Sequence, residues 1–563
     1  MMNRREFLAG CAAACLPQER PSAAIPRVRL MPRLPEPLVV RDWAGLSRRY
    51  YDLVLDPGRT LDERPLVVPD PKGRGFVMPS YLPAKPADEA MTCLSAVAGA
   101  RLAGLDPRAL HGVDWVEASK AWFDGKHGLC RHHRGDRSPV VHADIYGYWA
   151  AIQGMILAAQ HPDDTDFRGH LRAAAGAFLK IAKGMGCPDR PDFDVLGFNF
   201  DTERPDGRPE PMNRLGHAPS VAWPLLVGFG LTGDRSMLEC ARSALLWHVE
   251  HPGRYEISHV MGPLAAARLN AEHRAGLDLD RVLAAWFGDG EPGRTPWKVT
   301  AGCRFGGFTC DGLDAAWWGD RERAFHAFAM GTLQGPAWLV PVVRYAPRYA
   351  PDIARYALHA ASSARLLQGF DLGWDRQDHK DWKDRWDPEG LLFYEALAAW
   401  DWSDRRIHRP YATGDPVRLG WGVPKVGPRE YLDEKRKWFS KTSHNLSLYM
   451  GNHVGFLGGL VALTEVPGIL RWDCLATDWF HPPAYPTHLY WNPHPDERTV
   501  TAAAGAGKAL YDLVSRGPVE GGPRLTLKPD QAAVLVQIPS EVPVERKGGR
   551  LVAGNLVVDW GTP

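Results

Sequence analysis

The chain has 563 residues, of which 45% are hydrophobic and 24% are charged, as is ordinary for folded globular proteins. Its 67 basic and 66 acidic residues give a net charge of +1. This balance gives no reason to expect a nucleic acid or an anionic membrane as a partner. No stretch beyond the N-terminus reaches the roughly 18 uninterrupted apolar residues of a membrane span.

The N-terminus predicts export. Arg4 and Arg5 are followed by Glu6-Phe7-Leu8 and a short run of small apolar residues. The Arg-Arg-x-Phe-Leu string resembles a twin-arginine export signal. We therefore expect residues 1–24 to be a signal and the protein to be periplasmic or extracellular. A lipid anchor at Cys11 is the less favoured alternative, because few apolar residues precede that cysteine.

No metal or cofactor motif stands out in the sequence. The nine cysteines include no CxxC pair, and the stretch from His127 to His133 matches no standard zinc spacing. A phosphate-binding loop and a dinucleotide-binding glycine pattern are also missing. We expect no metal and no cofactor. Cys303 and Cys310 are the one pair close enough in sequence to suspect as a disulfide.

Helical segments in pairs dominate the middle of the chain. Residues 25–86 are rich in proline and arginine, and we expect them to form an extended arm. From residue 87 onward, apolar residues recur at helical spacing, with Gly, Pro and Asp between segments. Three pairs stand out: 146–160 with 167–183, 220–231 with 236–250, and 335–345 with 352–367. Single helices are expected at 258–270, 388–400 and 453–463.

The first helix of each pair is apolar on nearly all sides, and the second is amphipathic. An all-apolar helix must be buried, while an amphipathic one can cover it. This alternation predicts two concentric rings, so residues 87–467 are expected to form an (α/α)6 toroid in a mainly α protein. A solenoid or a plain bundle is the alternative. Short β-prone runs after Gly468 predict a small C-terminal β-sandwich over 468–563.

Polar clusters precede or open the apolar helices. If those helices run parallel, the clusters converge at one end of the ring, where helix N-termini supply free N–H groups. Helix capping is the alternative for any single Asp or Asn. The clusters occupy residues 142–146, 213–217, 256–259, 311–318, 377–389 and 444–453.

Two reactions suit such a cluster. Glycoside hydrolysis needs two carboxyl groups, for which Asp144, Asp311 and Asp314 are the candidates. β-Elimination on a uronic acid needs a base, for which Tyr449 or Tyr146 acting with His453 or His217 are the candidates. The residues expected to bind substrate are His142, Tyr146, Asn213, Arg214, His217, His259, Trp317, Trp318 and Asn452.

The polar helix starts, the Gly-Asp link at Gly233-Asp234 and the β-type tail together resemble the six-hairpin glycosidase superfamily. The resemblance covers about residues 87–465. It implies an (α/α)6 toroid with glycoside hydrolase or polysaccharide lyase activity, and no catalytic residue of one family is carried over.

We therefore expect an exported glycoside hydrolase that acts on an oligosaccharide or polysaccharide. A polysaccharide lyase is the first alternative, and a non-catalytic glycan-binding protein is the second.

Overall fold

The computed structural model describes residues 23–72, 74–82, 85–209, 215–288, 297–317, 325–373, 376–377, 380–399, 410–414, 446–520 and 522–561. The helices are α1 (Pro26–Arg29), α2 (Trp43–Val54), α3 (Ala90–Leu102), α4 (Trp115–Ser119), α5 (Tyr148–Gln160), α6 (Thr165–Gly184), α7 (Ala218–Thr232), α8 (Arg235–Glu250), α9 (Gly262–His273), α10 (Leu279–Phe287), α11 (Ala329–Leu339), α12 (Ala350–Ser363), α13 (Lys380–Trp386), α14 (Leu448–Gly451) and α15 (Val454–Gly458). Among these, no helix is long and apolar enough to cross a membrane.

The strands are short and belong to several sheets. They are β1 (Thr60–Leu61), β2 (Arg64–Pro65), β3 (Val68–Pro69), β4 (Phe76–Val77), β5 (Tyr81–Leu82), β6 (Phe123–Asp124), β7 (Leu129–Cys130), β8 (Val140–His142), β9 (Gly197–Asn199), β10 (Arg204–Asp206), β11 (Trp297–Val299), β12 (Arg304–Phe305), β13 (Phe308–Thr309), β14 (Asp314–Trp317), β15 (Phe325–Phe328), β16 (Ala396–Ala398), β17 (Tyr411–Thr413), β18 (Leu446–Ser447), β19 (Val461–Leu463), β20 (Leu470–Asp473), β21 (Thr487–Trp491), β22 (Arg498–Thr501), β23 (Lys508–Asp512), β24 (Gly517–Pro518), β25 (Arg524–Leu527), β26 (Ala532–Pro539), β27 (Val544–Lys547), β28 (Arg550–Ala553) and β29 (Leu556–Asp559).

Six helices contact one another in a closed cycle. In order around the ring they are α3, α5, α7, α9, α11 and α15, and α15 contacts α3 again. Their sequences explain their position. Helix α7, for example, has no charged side chain and contains Trp223, which is fully buried. A helix that is apolar all round is stable only when other elements cover it on every side.

Amphipathic helices lie outside this ring. Helices α6, α8, α10 and α12 each pack on the ring helix that precedes them in the chain. The N-termini of α6, α8 and α10 are capped by the side chains of Asp164, Asp234 and Asp278, and Gly233 ends α7 in the left-handed conformation with φ 73°. The helical pairs expected at 146–160 with 167–183 and at 220–231 with 236–250 are confirmed. The first helix of the third pair, expected at 335–345, begins earlier as α11 and is followed by a 3₁₀ helix over Val340–Arg344.

The N-terminal region differs from the extended arm that we expected. It contains α2, which packs on α3 and α15 and so occupies the outer position beside the point where the ring closes. Six of the twelve residues of α2 are buried, among them Trp43, Tyr50 and Tyr51. The aromatic rings of this helix thus stabilise contacts between segments that are distant in the chain.

A five-stranded antiparallel sheet was not expected from the sequence. Its strand order is β11–β14–β15–β16–β17, and β15 leads directly into α11. The helix predicted at 388–400 is wrong over the described residues, because residues 396–398 form β16. The helix predicted at 453–463 is also too long, since α15 ends at Gly458 and β19 begins at Val461.

The C-terminal β-rich region is confirmed as β structure. Six strands form one sheet in the order β19–β20–β21–β26–β23–β24, and β21 and β26 contact the outer helix α12. The pair β22–β25 contributes to a second apolar core, together with residues such as Ile469, Tyr490 and Leu535. The six-stranded sheet therefore packs against α12, and its apolar side chains also contact the β22–β25 pair.

Candidate active site

Side chains from separate parts of the chain meet where the ring helices begin. Glu89 is the N-terminal cap residue of α3, Tyr146 lies two residues before α5, and Tyr449 lies in the first turn of α14. Glu256 precedes α9. Glu395 precedes β16, and its carbonyl oxygen accepts a hydrogen bond at 3.2 Å from the first backbone N–H of α11. Tyr146, Glu256 and Tyr449 come from three of the six polar clusters identified in the sequence, whereas Glu89 and Glu395 belong to none of them.

Three tyrosines lie at the centre of this cluster. The Tyr449 hydroxyl donates to the Tyr146 hydroxyl at 3.4 Å, and the two rings are stacked with centroids 6.4 Å apart. The Tyr81 ring lies 6.4 Å from that of Tyr449, and the Tyr81 hydroxyl donates to Glu395 Oε1 at 2.9 Å. Tyr449 is 3% exposed, while Tyr146 is 40% exposed. Tyr146 therefore presents a ring face to solvent above a buried partner.

Carboxylates surround the tyrosine pair. Burial raises the pKa of Tyr449, and the charges of Glu256 and Glu89 raise it further. Burial also raises the pKa of Tyr146, to which Glu256, Glu89 and Glu395 add in the same direction. Both phenols are therefore protonated at neutral pH, and three carboxyl groups lie within electrostatic range of them.

The carboxylate of Glu89 is held in place by hydroxyl groups. Its Oε2 accepts hydrogen bonds from Thr92 Oγ1 at 2.9 Å and from Ser80 Oγ. On the other oxygen, His132 Nε2 lies 3.8 Å from Oε1, and the His132 ring packs edge-on to Tyr146 with centroids 4.8 Å apart. Burial lowers the pKa of His132 to about 4, so this imidazole is neutral at neutral pH.

Glu256 has an unusual backbone. Its φ of 45° lies in the left-handed region, which side chains with a Cβ seldom adopt and which is often found at functional sites. The neighbouring Tyr255 packs edge-on to Trp297, whose ring is stacked on Phe328 at 5.1 Å. The segment before α9 thus combines a strained glutamate with a cluster of aromatic rings.

The three aspartates predicted as acids lie in different surroundings. Asp144 accepts the Tyr146 N–H at 2.9 Å and so orders the turn that carries this tyrosine, and burial raises the Asp144 pKa. Asp314 forms a buried ion pair with Arg254; burial still raises its pKa, against the lowering effect of the arginine. Asp314 is therefore already paired.

Asp311 lies on the outer side of the ring. Its Oδ1 accepts the Cys303 N–H at 2.6 Å, and the adjacent Gly312 packs against the backbone of Ala360 in α12. Burial raises the pKa of Asp311 to about 7. The described contact of the Asp311 carboxylate is thus with the Cys303 backbone rather than with the tyrosine cluster.

The predicted histidines and Asn452 are built into the core. His217 packs edge-on to Tyr148 and Phe193, and His453 Nδ1 lies 2.8 Å from Gln334 Nε2. Burial lowers the pKa of His217 to about 4 and that of His453 to about 3, and it lowers the pKa of His259 well below its usual range. The amide of Asn452 is bound by the Tyr50 hydroxyl and the carbonyl of Thr92, so it has no oriented group left for a substrate.

Of the remaining predicted residues, His142 lies at the edge of the site and Trp317 lies in the five-stranded sheet. His142 ends β8, is exposed, and lies near His132 and Asp144. Trp317 is buried in β14 beneath Lys298, whose ammonium lies 4.7 Å from the ring centroid. Asn213, Arg214 and Trp318 lie outside the described residues. No group of three or more His, Cys, Asp or Glu side chains in the described ranges could hold a metal ion.

Sequence reasoning did not select Glu89, Glu395, Tyr81 or His132 for this site. Glu256 belonged to one of the predicted polar clusters, but it was not chosen as a catalytic residue. In a sequence, a single glutamate before an apolar helix is indistinguishable from a helix cap. Glu89 occupies the N-cap position of α3, although its side chain caps no backbone N–H. The signal that could have found Glu256 was its position in a cluster that precedes an apolar helix.

Comparisons with known proteins add little to this picture. No protein-family model matches the chain, and no curated protein matches it. Among solved structures, a GH127 β-L-arabinofuranosidase from Geobacillus stearothermophilus T6 aligns with 83% of this chain and 75% of its own. Its identity to this chain is 11%, and the TM-score is 0.33. A likeness this weak carries no argument about the reaction, so the function has to be argued from the site.

Proposed function

We propose that the chain is a carbohydrate-active enzyme, namely a glycoside hydrolase of an oligosaccharide or polysaccharide built on an (α/α)6 toroid. The observation that carries the proposal is the meeting of three glutamates with a partly exposed tyrosine pair at the start of the ring helices. Glycosidic bond hydrolysis needs two carboxyl groups on either side of the bond. A cluster of carboxylates beside aromatic rings supplies both the reacting groups and a surface for the sugar.

Glu89 and Glu256 are our choice for the catalytic pair. They precede α3 and α9, which occupy opposite positions in the six-membered cycle of helices. A sugar bound between them would meet one carboxyl group on each side. Because hydroxyl groups anchor Glu89, we assign it as the base or nucleophile, and Glu256 as the acid that protonates the leaving oxygen. Glu395 then positions Tyr81 through their hydrogen bond.

Asp144, Asp311 and Asp314 receive other roles in this proposal. The ion pair of Asp314 with Arg254 and the outer position of Asp311 make them poorer acids for a sugar at the ring opening. Asp144 supports the turn of Tyr146 and is a positioning residue.

The lyase alternative has weaker support. It needs a base that removes a proton beside a carboxylate, together with a group that neutralises that carboxylate. Burial raises the pKa of both tyrosines, and His453 is fully buried against Gln334. The described part of the cluster is rich in carboxylates, which would repel a uronic acid. A non-catalytic glycan-binding protein would not need three carboxyl groups around one tyrosine pair.

Export remains part of the proposal. The signal assigned to residues 1–24 and the alternative anchor at Cys11 lie almost entirely outside the described residues. A periplasmic or extracellular enzyme would meet glycans outside the cytoplasm.

The test is digestion of a panel of neutral and uronic-acid glycans, read by new reducing ends and by ultraviolet absorbance together. We expect reducing ends without absorbance, because hydrolysis forms no C=C bond. Glu89→Gln and Glu256→Gln should each lower kcat by about 10²–10⁴-fold while the variants stay folded. The exposed Glu203→Gln is the matched control and should keep full activity. Absorbance with reducing ends would establish the lyase, and full activity in both variants would refute the assigned pair.

A further inference from the structure

Two buried thiols outside the candidate active site lie close to each other. Cys187 follows the end of α6, and Cys240 lies on α8. The two thiols interact electrostatically, and the cysteines are 7% and 0% exposed. Two cysteines whose Cα atoms lie within about 7 Å can be bridged without movement of the backbone.

The backbone around this pair is fixed by further contacts. The Cys187 N–H donates to the carbonyl of Ala182 at 3.0 Å. One residue later, the carbonyl of Pro188 accepts the Ser243 hydroxyl at 2.7 Å, and Ser243 lies one turn beyond Cys240 on α8. The loop after α6 is therefore held on the face of α8 that carries Cys240.

We propose that Cys187 and Cys240 are a covalent modification site, where a small or protein disulfide of the oxidised dithiol class converts them to an intramolecular disulfide. One thiolate attacks the donor disulfide, which releases one donor thiol and leaves a mixed disulfide. The thiolate of the second cysteine then attacks the protein sulfur of this mixed disulfide, so that the Cys187–Cys240 bond forms, the bond to the donor breaks and the second donor thiol leaves. Both protein protons end on the released thiols, the two cysteines are oxidised, and the donor is reduced.

A surface recess lies beside the loop and the helix that carry the pair. Pro188, Ser243, Trp247 and His251 are among the residues that line this recess of about 620 Å³. The interaction between the two thiols lowers the pKa of Cys240 and raises that of Cys187, so Cys240 is the thiol that forms the first thiolate. The modification would link segments about fifty positions apart and restrict the unfolded chain.

The other suspected pair behaves differently and supplies a control. Cys303 and Cys310 are close in the chain, and the Cys310 N–H donates to the Cys303 carbonyl at 2.6 Å. Their thiols, however, point to backbone carbonyls, those of Ala301 at 3.6 Å and Phe308 at 3.8 Å. Each thiol of the pair suspected from the sequence is therefore directed at a backbone carbonyl.

The experiment uses the folded full chain, purified with its thiols reduced and then equilibrated with oxidised glutathione. Free thiols are alkylated in denaturant, and peptides are mapped by mass spectrometry without reduction. We expect one linked peptide pair that contains Cys187 and Cys240, with the mass of two hydrogens lost. Cys303 and Cys310 should be alkylated. Recovery of both Cys187 and Cys240 in alkylated form, or linked to other cysteines, would overturn the proposal.

Variants distinguish the Cys187–Cys240 disulfide from oxidation of the other cysteines. Cys240→Ser and Cys187→Ser should each abolish the linked peptide, whereas Cys303→Ser with Cys310→Ser should retain it. Oxidation should raise the Tm of the wild type by about 3 °C and leave that of Cys240→Ser unchanged. If Cys187→Ser fails to fold, Cys240→Ser alone decides the matter. Because no glycan is needed, the result is independent of the proposed hydrolase activity.

Discussion

At the scale of single residues, Tyr146 combines two properties that are seldom found together. It is exposed on one side and hydrogen-bonded to the buried Tyr449 on the other, and the backbone turn that carries it is ordered by Asp144. An aromatic face held in this way loses little side-chain entropy when a ligand stacks on it. The proposed role of Tyr146 is therefore to bind sugar through its ring rather than through its hydroxyl.

Substitutions of Tyr146 can separate the contribution of the ring to sugar binding from that of the hydroxyl. We expect Tyr146→Ala to raise KM about 3–10-fold, which corresponds to an aromatic contact worth about 0.5–1.5 kcal/mol. Tyr146→Phe should keep KM near the wild-type value, because it retains the ring. Steady-state kinetics on the best substrate of the glycan panel measure both. Equal KM values for the alanine variant and the wild type would show that the ring does not contact the sugar.

At the scale of elements, the helices illustrate what a local pattern can predict. The pairs α5–α6, α7–α8 and α11–α12 follow from apolar periodicity and from caps such as Gly233 and Asp234, because each of these signals lies within one segment. Their boundaries agree with expectation to within a few residues for the first two pairs.

The caps themselves are testable. Asp164 accepts the N–H groups of Asp166 and Phe167 at the start of α6, and it lies 3.2 Å from Lys120 Nζ. Asp164→Ala should lower the free energy of unfolding by about 1–2 kcal/mol, since it removes both the cap and the charge. Asp164→Asn should lose less, because an asparagine can still cap. Urea denaturation of the three proteins gives these values, and equal losses in both variants would mean that the charge matters and the cap does not.

The five-stranded sheet shows what a local pattern cannot predict. Strand β16 has the sequence Ala-Leu-Ala, which suits a buried helix as well as a strand. It becomes a strand because it pairs with β15, about seventy positions earlier in the chain, and with β17. The glutamates of the site were missed for a similar reason. Glu89 and Glu395 become neighbours of Tyr146 only when distant segments fold together, and neither has a local signature.

At the scale of the whole molecule, the ring encloses many neutral imidazoles. Burial lowers the pKa of several histidines to about 4, and that of His453 to about 3. The others in the ring and its outer helices are His161, His217, His248 and His359. In the unfolded chain these groups would titrate near pH 6.5. The folded protein therefore binds fewer protons than the unfolded chain at mildly acidic pH.

This difference in proton binding determines how the free energy of unfolding changes with pH. Above about pH 6.5 the histidines are neutral in both states, so their contribution to stability is fully present. As the pH falls from 6.5 toward 4, the unfolded chain takes up protons that the folded protein excludes, and stability is lost. Each such histidine can remove up to about 1.4 kcal/mol per pH unit within this window. We expect a marked fall in the free energy of unfolding between pH 7 and pH 5, measured by urea denaturation.

His453 is the place to test the cause of that fall. His453→Gln keeps a polar group beside Gln334 but removes the titrating ring, so the variant should show a shallower loss of stability from pH 7 to pH 5, by up to one proton. If His453→Gln and the wild type lose stability in parallel, the His453 ring is not a source of the acid sensitivity, and the other buried histidines or carboxylates explain it. A shallower dependence of stability on pH in the variant would instead show that the His453 imidazole has a structural role. In its neutral form it packs the centre of the helical ring.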